Sequence, residues 1–219
     1  MEKAAITSIR VAIESVVAGQ ARYVAITGRG TSVECSSAAI PGILLFTGSF
    51  NPLHDGHRQL AAACALLVEK PLYCGLSLRN VAKKFMEPSE AARRAAALCE
   101  EYNVLVYDAP LFVDKSKMFP QSTFLVGMDT ALRLVDPVYY GGSVEEMYAA
   151  LRKIHMDNGC DFAVAGRVVE DRGFFGLDRL PVLDGDLKGF FRYKLDDFRM
   201  DISSTEIRER LRAQASVAM

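Results

Sequence analysis

The chain has 219 residues, of which 50% are apolar and 24% are charged. This composition is typical of a folded globular protein and excludes extended disorder. The length is enough for one α/β domain with a substantial core, or for one domain with an extension. The formal net charge is only −1, so no global positive field attracts nucleic acid or an anionic membrane, and neither is an expected partner. An anionic ligand must therefore be held by a local cluster of donors.

The cysteines and the amino-terminal segment favour a reducing compartment. The five cysteines are widely spaced and form no CxxC pair, which disfavours a disulfide framework. The first apolar segment is interrupted by Arg10 and Glu14 and lacks the core of a signal peptide. No apolar run is long enough to span a bilayer. We expect a cytoplasmic protein, with the nucleus as the alternative, and an oligomeric state that the sequence leaves open.

The first 42 residues predict one helix and one short strand ahead of the main fold. Isoleucine and valine recur at helical spacing between Ile6 and Val17, and Tyr23–Thr27 is typical of a strand. A glycine- and serine-rich stretch then ends at Pro41 and Gly42. We interpret residues 1–42 as an extension, residues 43–212 as the main domain and residues 213–219 as a tail.

From residue 43 onward, short apolar runs alternate with helical patterns. The runs are typical of strands that are buried on both faces of a sheet. They cover residues 43–46, 72–78, 104–107, 123–126, 162–165 and 190–195. Helices are expected after residue 53, from Pro88, after residue 127, from Ser143 and from Ser203, and a long loop is expected over residues 166–189. This alternation predicts a three-layer α/β/α fold with a mainly parallel sheet, which binds ligands at the carboxyl ends of its strands.

The stretch TGSFNPLHDGH leaves the first strand of this domain and enters its first helix. Gly48 lets the backbone turn tightly or approach a ligand closely, and backbone N–H groups at a helix start suit a phosphate. His54 and His57 flank Gly56 at a spacing that lets both imidazoles converge near the helix start. A triphosphate that loses pyrophosphate needs charge stabilisation of this kind.

These eleven residues resemble the GxFxPxHxGH signature of the nucleotidyltransferase superfamily. They match especially well the adenylyltransferases for nicotinate or nicotinamide mononucleotide, enzymes of NAD biosynthesis. The resemblance implies a Rossmann-like fold, ATP as a substrate and Mg²⁺ as the companion of its triphosphate. It assigns triphosphate binding and transition-state stabilisation to His54 and His57. The nucleotide-binding residues that it implies in this stretch are Thr47, Gly48, Ser49, Phe50 and Gly56.

A second motif, ISSTEIR, lies near the other end of the chain. Ser203 and Glu206 are typical of a helix-capping box, but three consecutive hydroxyl residues exceed what one cap requires. Arg208 lies in the first turns of the same helix, where its guanidinium can donate two hydrogen bonds to a phosphate. The stretch resembles the ISSTxIR signature of the same superfamily. The resemblance assigns the β- and γ-phosphates to Ser203, Ser204, Thr205 and Arg208, a role that is compatible with the cap.

Further candidates follow the later strands. The resemblance places a phosphate-binding lysine at Lys83, with Lys84 as the alternative, although a solvated basic turn also fits these residues. It implies four more nucleotide-binding residues: Gly127, Asp129, Gly166 and Arg167. Asp129 belongs to a GxD element that contacts the nucleoside, and it can equally cap a helix. Arg93 and Arg94, on an alanine-rich helix, are expected at the surface. No group of histidines, cysteines and aspartates has the spacing of a structural metal site.

The resemblance leaves the acceptor and the donor base open. Residues 124–142 resemble a eukaryotic branch of cytidylyltransferase-like proteins. In longer relatives of that branch, a domain resembling the C-terminal part of competence-damage proteins precedes the transferase, and residues 1–42 can be a remnant of it. The favoured hypothesis is adenylyl transfer from Mg-ATP to a phosphorylated small molecule, with nicotinamide or nicotinate mononucleotide as the first candidate. The alternatives are cytidylyl transfer, ATP hydrolysis, and a nucleotide-binding or chaperone-like module without transfer activity.

Overall fold

A computed structural model describes residues 2–80, 84–169, 173–175, 180–183 and 185–195. The strands are β1 (Tyr23–Thr27), β2 (Ser32–Ser36), β3 (Leu44–Thr47), β4 (Leu72–Ser77), β5 (Asn103–Tyr107), β6 (Thr123–Gly127), β7 (Asp161–Ala165), β8 (Arg167–Val169), β9 (Gly173–Phe175) and β10 (Tyr193–Leu195). The α-helices are α1 (Glu2–Val17), α2 (Asp55–Val68), α3 (Pro88–Cys99), α4 (Phe112–Met118), α5 (Met128–Leu134) and α6 (Val144–Arg152). Single turns of 3₁₀-helix cover Pro137–Tyr140 and Gly185–Leu187, and a π-helical turn covers Lys153–Asp157.

Eight strands form one sheet in the order β10-β7-β6-β3-β4-β5-β1-β2. All neighbours from β10 to β5 are parallel, and only β1 and β2 run antiparallel. The chain builds outward from β3 to β5 on one side, then returns to place β6 on the other side of β3. The predicted mainly parallel sheet is confirmed. The reversal of direction beside β3 creates a crevice at the carboxyl ends of the strands, where α/β sheets bind ligands.

The two faces of the sheet carry separate hydrophobic cores. Side chains of β3 alternate between them, with Leu44 and Phe46 in one core and Leu45 in the other. The first core contains the apolar faces of α1, α2 and α3, and the second contains those of α4, α5 and α6. The predicted α/β/α layering is therefore confirmed, and the fold is Rossmann-like. No helix in the described part of the chain is both long enough and apolar enough to cross a membrane.

The amino-terminal elements join the same sheet. Strand β1 pairs antiparallel with β5, with Tyr23 opposite Tyr107, and β2 pairs with the outer side of β1. Helix α1 packs against α3 through its buried side chains, among them Ile9 and Ile13. Residues 1–42 thus extend the sheet, although the domain boundary at residue 42 stays a prediction.

Three elements differ from the sequence prediction. The glycine- and serine-rich stretch after β1 contains β2, an edge strand with few apolar residues, so its pattern resembled a loop. The expected long loop over residues 166–189 contains the β8–β9 hairpin. Helix α4 was not predicted, because its seven residues are too few to show helical periodicity. The predicted helix from Ser203 lies outside the described residues.

Candidate functional site

A cavity of about 990 Å³ opens at the carboxyl ends of β3, β4, β5 and β6. This volume is at the upper end of the range for small-molecule sites, roughly 300–1,000 Å³. The cavity lies at the reversal of strand order beside β3, where the fold predicts a ligand site. Its walls include five of the candidate residues from the sequence: Thr47, Gly48, Ser49, Lys84 and Asp129.

The loop between β3 and α2 (residues 48–54) is held in a defined shape by the phenyl ring of Phe50. This ring is buried, stands edge-on to Phe46 with 5.1 Å between the ring centroids, and lies over the backbone of Gly48. A Cβ atom at Gly48 would lie 2.8 Å from the ring, so only glycine fits. The Gly48 N–H donates to the Gly75 carbonyl at 3.2 Å. This bond removes one backbone donor that the sequence motif offers to a phosphate.

His54 and His57 lie together at the start of α2. His54 is the N-cap residue, and the centroids of the two imidazole rings are 3.6 Å apart with a tilt of 35°. The His54 backbone N–H donates to Nδ1 of His57 at 3.3 Å. Gly56, between them in sequence, is buried in the first turn of the helix. Among the described residues that line the cavity, none is a histidine, so the pair lies beside the loop rather than on the cavity wall.

Both histidines are neutral at physiological pH. Burial, together with the neighbouring His54 and Arg58, lowers the pKa of His57 to about 3. Burial also lowers the pKa of His54, against the opposing charge of Asp55. Because Nδ1 of His57 accepts a hydrogen bond, the ring proton resides on Nε2. His57 can therefore donate one N–H to a phosphate oxygen as a neutral imidazole.

Arg94 lies at the cavity, which corrects the expectation that it is a surface residue. Its Nη1 donates to the carbonyl oxygen of Ser49 at 3.1 Å, and its Nε donates to Glu90 at 2.6 Å. The side chain is only 14% exposed, and it lines the cavity. Arg94 thereby connects α3 to the loop between β3 and α2. No sequence pattern identifies this role, because an Arg four residues after a Glu is equally typical of an exposed helical ion pair.

The other predicted site residues lie at the start of α5, at the start of β8, or outside the described residues. Gly127 is the N-cap residue of α5, and Asp129 lies in the first turn, so the alternative of an Asp129 cap is wrong. Gly166 is buried between β7 and β8 and is not among the residues that line the cavity, and Arg167 begins β8. The remaining predicted residues lie outside the described residues, and their roles stay predictions: Lys83, Ser203, Ser204, Thr205 and Arg208.

Two buried polar residues of the cavity wall were not anticipated from the sequence. The Lys115 side chain, on α4, is buried, donates to the Pro110 carbonyl at 2.9 Å and lies 4.4 Å from the ring centroid of Phe112. Burial lowers the pKa of Lys115 to about 7. The hydroxyl of Tyr107, at the end of β5, is buried without a hydrogen-bond partner among the described residues. In the sequence, Lys115 and Lys117 look alike, and only the fold separates them.

The cytidylyltransferase-like family model matches residues 45–210, which include the cavity walls and both sequence motifs. No curated protein matches the chain. Among solved structures, the chain is similar to the nicotinic acid mononucleotide adenylyltransferase of Plasmodium falciparum complexed with APC. The identity is 12% and the TM-score 0.39, over 78% of this chain and 83% of that chain. Since the family model spans well over half of the 219 residues, the chain belongs to the cytidylyltransferase-like family and is a nucleotidyltransferase.

Proposed function

We propose that the protein transfers an adenylyl group from Mg-ATP to a phosphorylated small molecule and releases pyrophosphate. The first candidate acceptor is nicotinamide or nicotinate mononucleotide. The observation that carries the proposal is the neutral histidine pair at the start of α2, next to a cavity at the reversal of strand order. A phosphoryl-type transition state needs such fixed donors more than it needs a nucleophilic side chain.

The reaction is an in-line displacement at the α-phosphorus of ATP. An oxygen of the acceptor phosphate forms the new P–O bond, while the bond from the α-phosphorus to the bridging oxygen breaks. Pyrophosphate leaves with the electron pair of that bond. Because positioning of two phosphates supplies much of the rate enhancement, no covalent enzyme intermediate is required.

The side chains of this chain stabilise charge at defined points. The Nε2–H of His57 and the imidazole of His54 act on the α-phosphate, and Arg94 keeps the adjoining loop in place through Ser49. Lys83 is the predicted residue for neutralising phosphates, and its alternative, Lys84, lines the cavity. The predicted clamp on the leaving pyrophosphate consists of Ser203, Ser204, Thr205 and Arg208.

A magnesium ion that arrives with the triphosphate fits the oxygen donors of the cavity. Mg²⁺ in nucleotide sites uses one or two carboxylates together with phosphate oxygens and water. The Asp129 carboxylate lies on the wall, and the described residues contain no group of three or more metal-binding side chains. The ion would neutralise phosphate charge, and Asp129 would hold it.

The test is pyrophosphate release from Mg-ATP with each mononucleotide, with the dinucleotide identified as the product. We expect His57→Ala to lower turnover by about 10²- to 10³-fold, the usual effect of removing one transition-state donor, without a change in the folded structure. His155→Ala is the matched control, since that ring is hydrogen-bonded to the backbone carbonyls of Cys160 and Lys188 and belongs to neither sequence motif. Unaltered turnover of His57→Ala would exclude this assignment.

Cytidylyl transfer is the second candidate, favoured by the family to which the chain belongs. The same assay with Mg-CTP in place of Mg-ATP distinguishes the two donors. Phosphate or pyrophosphate release from ATP alone would indicate an ATPase. ATP binding without any product would indicate a nucleotide-binding module.

A further inference from the structure

One part of the cavity wall combines a buried cation with an aromatic surface. It is formed by Tyr107, Phe112 and Lys115, which we call the Lys115 pocket. The Lys115 ammonium lies 4.4 Å from the ring centroid of Phe112 and 6.0 Å from that of Tyr107. Phe112 and Lys115 on α4 and Tyr107 at the end of β5 therefore line the same part of the cavity.

Among the described residues, the Lys115 ammonium uses only part of its hydrogen-bonding capacity. An ammonium group has three N–H donors; one bonds to the Pro110 carbonyl, and the positive charge lies against the Phe112 ring. Within the described ranges Lys115 forms no ion pair, and the adjacent Asp114 is paired with Lys117 at 3.5 Å. A buried charge without a counter-ion is unfavourable unless a ligand supplies one.

The Tyr107 hydroxyl is a second unused donor at the same place. It is fully buried and has no hydrogen-bond partner in the part of the chain that the structure describes. Gly75 leaves room for it, since a Cβ atom there would lie 2.7 Å from the hydroxyl oxygen. A buried hydroxyl without a partner destabilises a fold. The same wall of the cavity therefore offers two hydrogen-bond donors to a ligand, and one of them is a cation.

We propose that Lys115 and Tyr107 select the acceptor substrate by binding a carboxylate on it, while Phe112 covers the apolar ring that carries this carboxylate. The inference rests on the proposed function, because it assumes that one part of the cavity binds the nucleotide donor and that the Lys115 pocket binds the acceptor. A carboxylate pairs with the Lys115 ammonium, whereas a neutral carboxamide leaves that charge unpaired. The substrate class is a phosphorylated acceptor with a second, carboxylate anion.

Binding measurements without ATP test this selectivity independently of turnover. Nicotinate mononucleotide carries a carboxylate where nicotinamide mononucleotide carries a carboxamide, and the two are otherwise identical. Isothermal titration calorimetry with the full-length protein measures the dissociation constant of each. We expect the nicotinate form to bind the wild type about 10- to 100-fold more tightly, the value of a hydrogen bond to a charged group. Lys115→Met should remove this preference and leave the affinity for the nicotinamide form unchanged. Lys117→Met, an exposed lysine on the same helix, should preserve it.

A second measurement uses the unmodified chain, so it does not depend on the folding of a variant. Acetylation of Lys115 by acetic anhydride, followed by peptide mass spectrometry, should slow by about 10-fold with saturating nicotinate mononucleotide. Acetylation of Lys117 should not change. At equal occupancy the nicotinamide form should protect Lys115 less than the nicotinate form does, because it offers no charge to Lys115.

The outcomes separate the two proposals. If no acceptor supports pyrophosphate release but Lys115 still confers the carboxylate preference, the proposed function fails and the Lys115 pocket stands. If Lys115→Met weakens the binding of both mononucleotides equally, the lysine binds the phosphate that they share, and the carboxylate proposal is overturned. The carboxylate proposal would also be overturned if the wild-type protein bound both mononucleotides equally tightly, or bound neither.

Discussion

Replacing Lys115 by Met should stabilise the protein, and by an amount that depends on pH. Burial lowers the Lys115 pKa from 10.5 to about 7, and each pKa unit corresponds to about 1.4 kcal/mol. Keeping the ammonium charged in its buried position therefore costs about 5 kcal/mol relative to the unfolded chain. Loss of the Pro110 hydrogen bond and the Phe112 contact offsets about 1 kcal/mol each. We expect Lys115→Met to be more stable than the wild type by about 3 kcal/mol at pH 6.

The sign of the pH dependence follows from the two protonation states. Below pH 7 the lysine is charged in both the folded and the unfolded wild type, so the folded state carries the full cost. Between about pH 7 and 10.5 the folded chain releases this proton while the unfolded chain keeps it. The free energy of unfolding of the wild type therefore rises with pH in this window. Met does not titrate, so the stability advantage of the variant shrinks as the pH increases.

Urea unfolding at pH 6, 8 and 9.5 measures this advantage directly. Lys117→Met is the matched control, because that side chain is 55% exposed and its ion pair with Asp114 is long. It should change the free energy of unfolding by less than about 0.5 kcal/mol at each pH. If Lys115→Met is no more stable than the wild type, or if its advantage in the free energy of unfolding stays constant from pH 6 to 9.5, then Lys115 is not a buried ammonium that destabilises the fold.

Three further substitutions test packing and hydrogen bonding around the sheet. Gly48→Ala places a methyl group 2.8 Å from the Phe50 ring and should lower the free energy of unfolding by about 1–3 kcal/mol; an unchanged Tm would contradict the close contact. Tyr107→Phe removes a hydroxyl that has no partner among the described residues and should leave stability equal or up to about 1 kcal/mol higher, so a clear loss of stability in urea would contradict this. Thr123→Val removes a 2.6 Å hydrogen bond to buried Asp161 and should cost about 2 kcal/mol; calorimetric stability within about 0.5 kcal/mol of the wild type would disprove it.

The central fold could be predicted because its strands are short, apolar and buried on both faces. Short apolar runs such as residues 123–126, in alternation with helical patterns, indicate the strands of a parallel sheet. Strand β2 could not be predicted in this way, since it lies at the edge, has solvent on one side and owes its conformation to pairing with β1. Helix α4 was missed for a related reason, because its seven residues are stabilised by packing into the second core.

The candidate site could be predicted only where its residues are adjacent in the chain. His54 and His57 lie within one motif, so their convergence follows from helical spacing. Arg94 and Lys115 reach the cavity from separate elements, and their roles depend on which side of α3 and α4 is buried. A lysine in the stretch VDKSK is normally solvated, and nothing in the local pattern distinguishes the buried Lys115 from the exposed Lys117.

The antiparallel pairing of β1 with β5 sets an order of events during synthesis. Residue 23 leaves the ribosome well before its partner residue 107, and at roughly 5–20 residues per second the delay is on the order of ten seconds. Throughout this interval, one side of β1 and the apolar side of α1 have no partner from the central sheet. The neighbouring β2 is already available, and its pairing protects the other side of β1. The nascent chain is therefore most vulnerable to misassociation until β5 emerges, and slower elongation between residues 23 and 107 would lengthen that exposure.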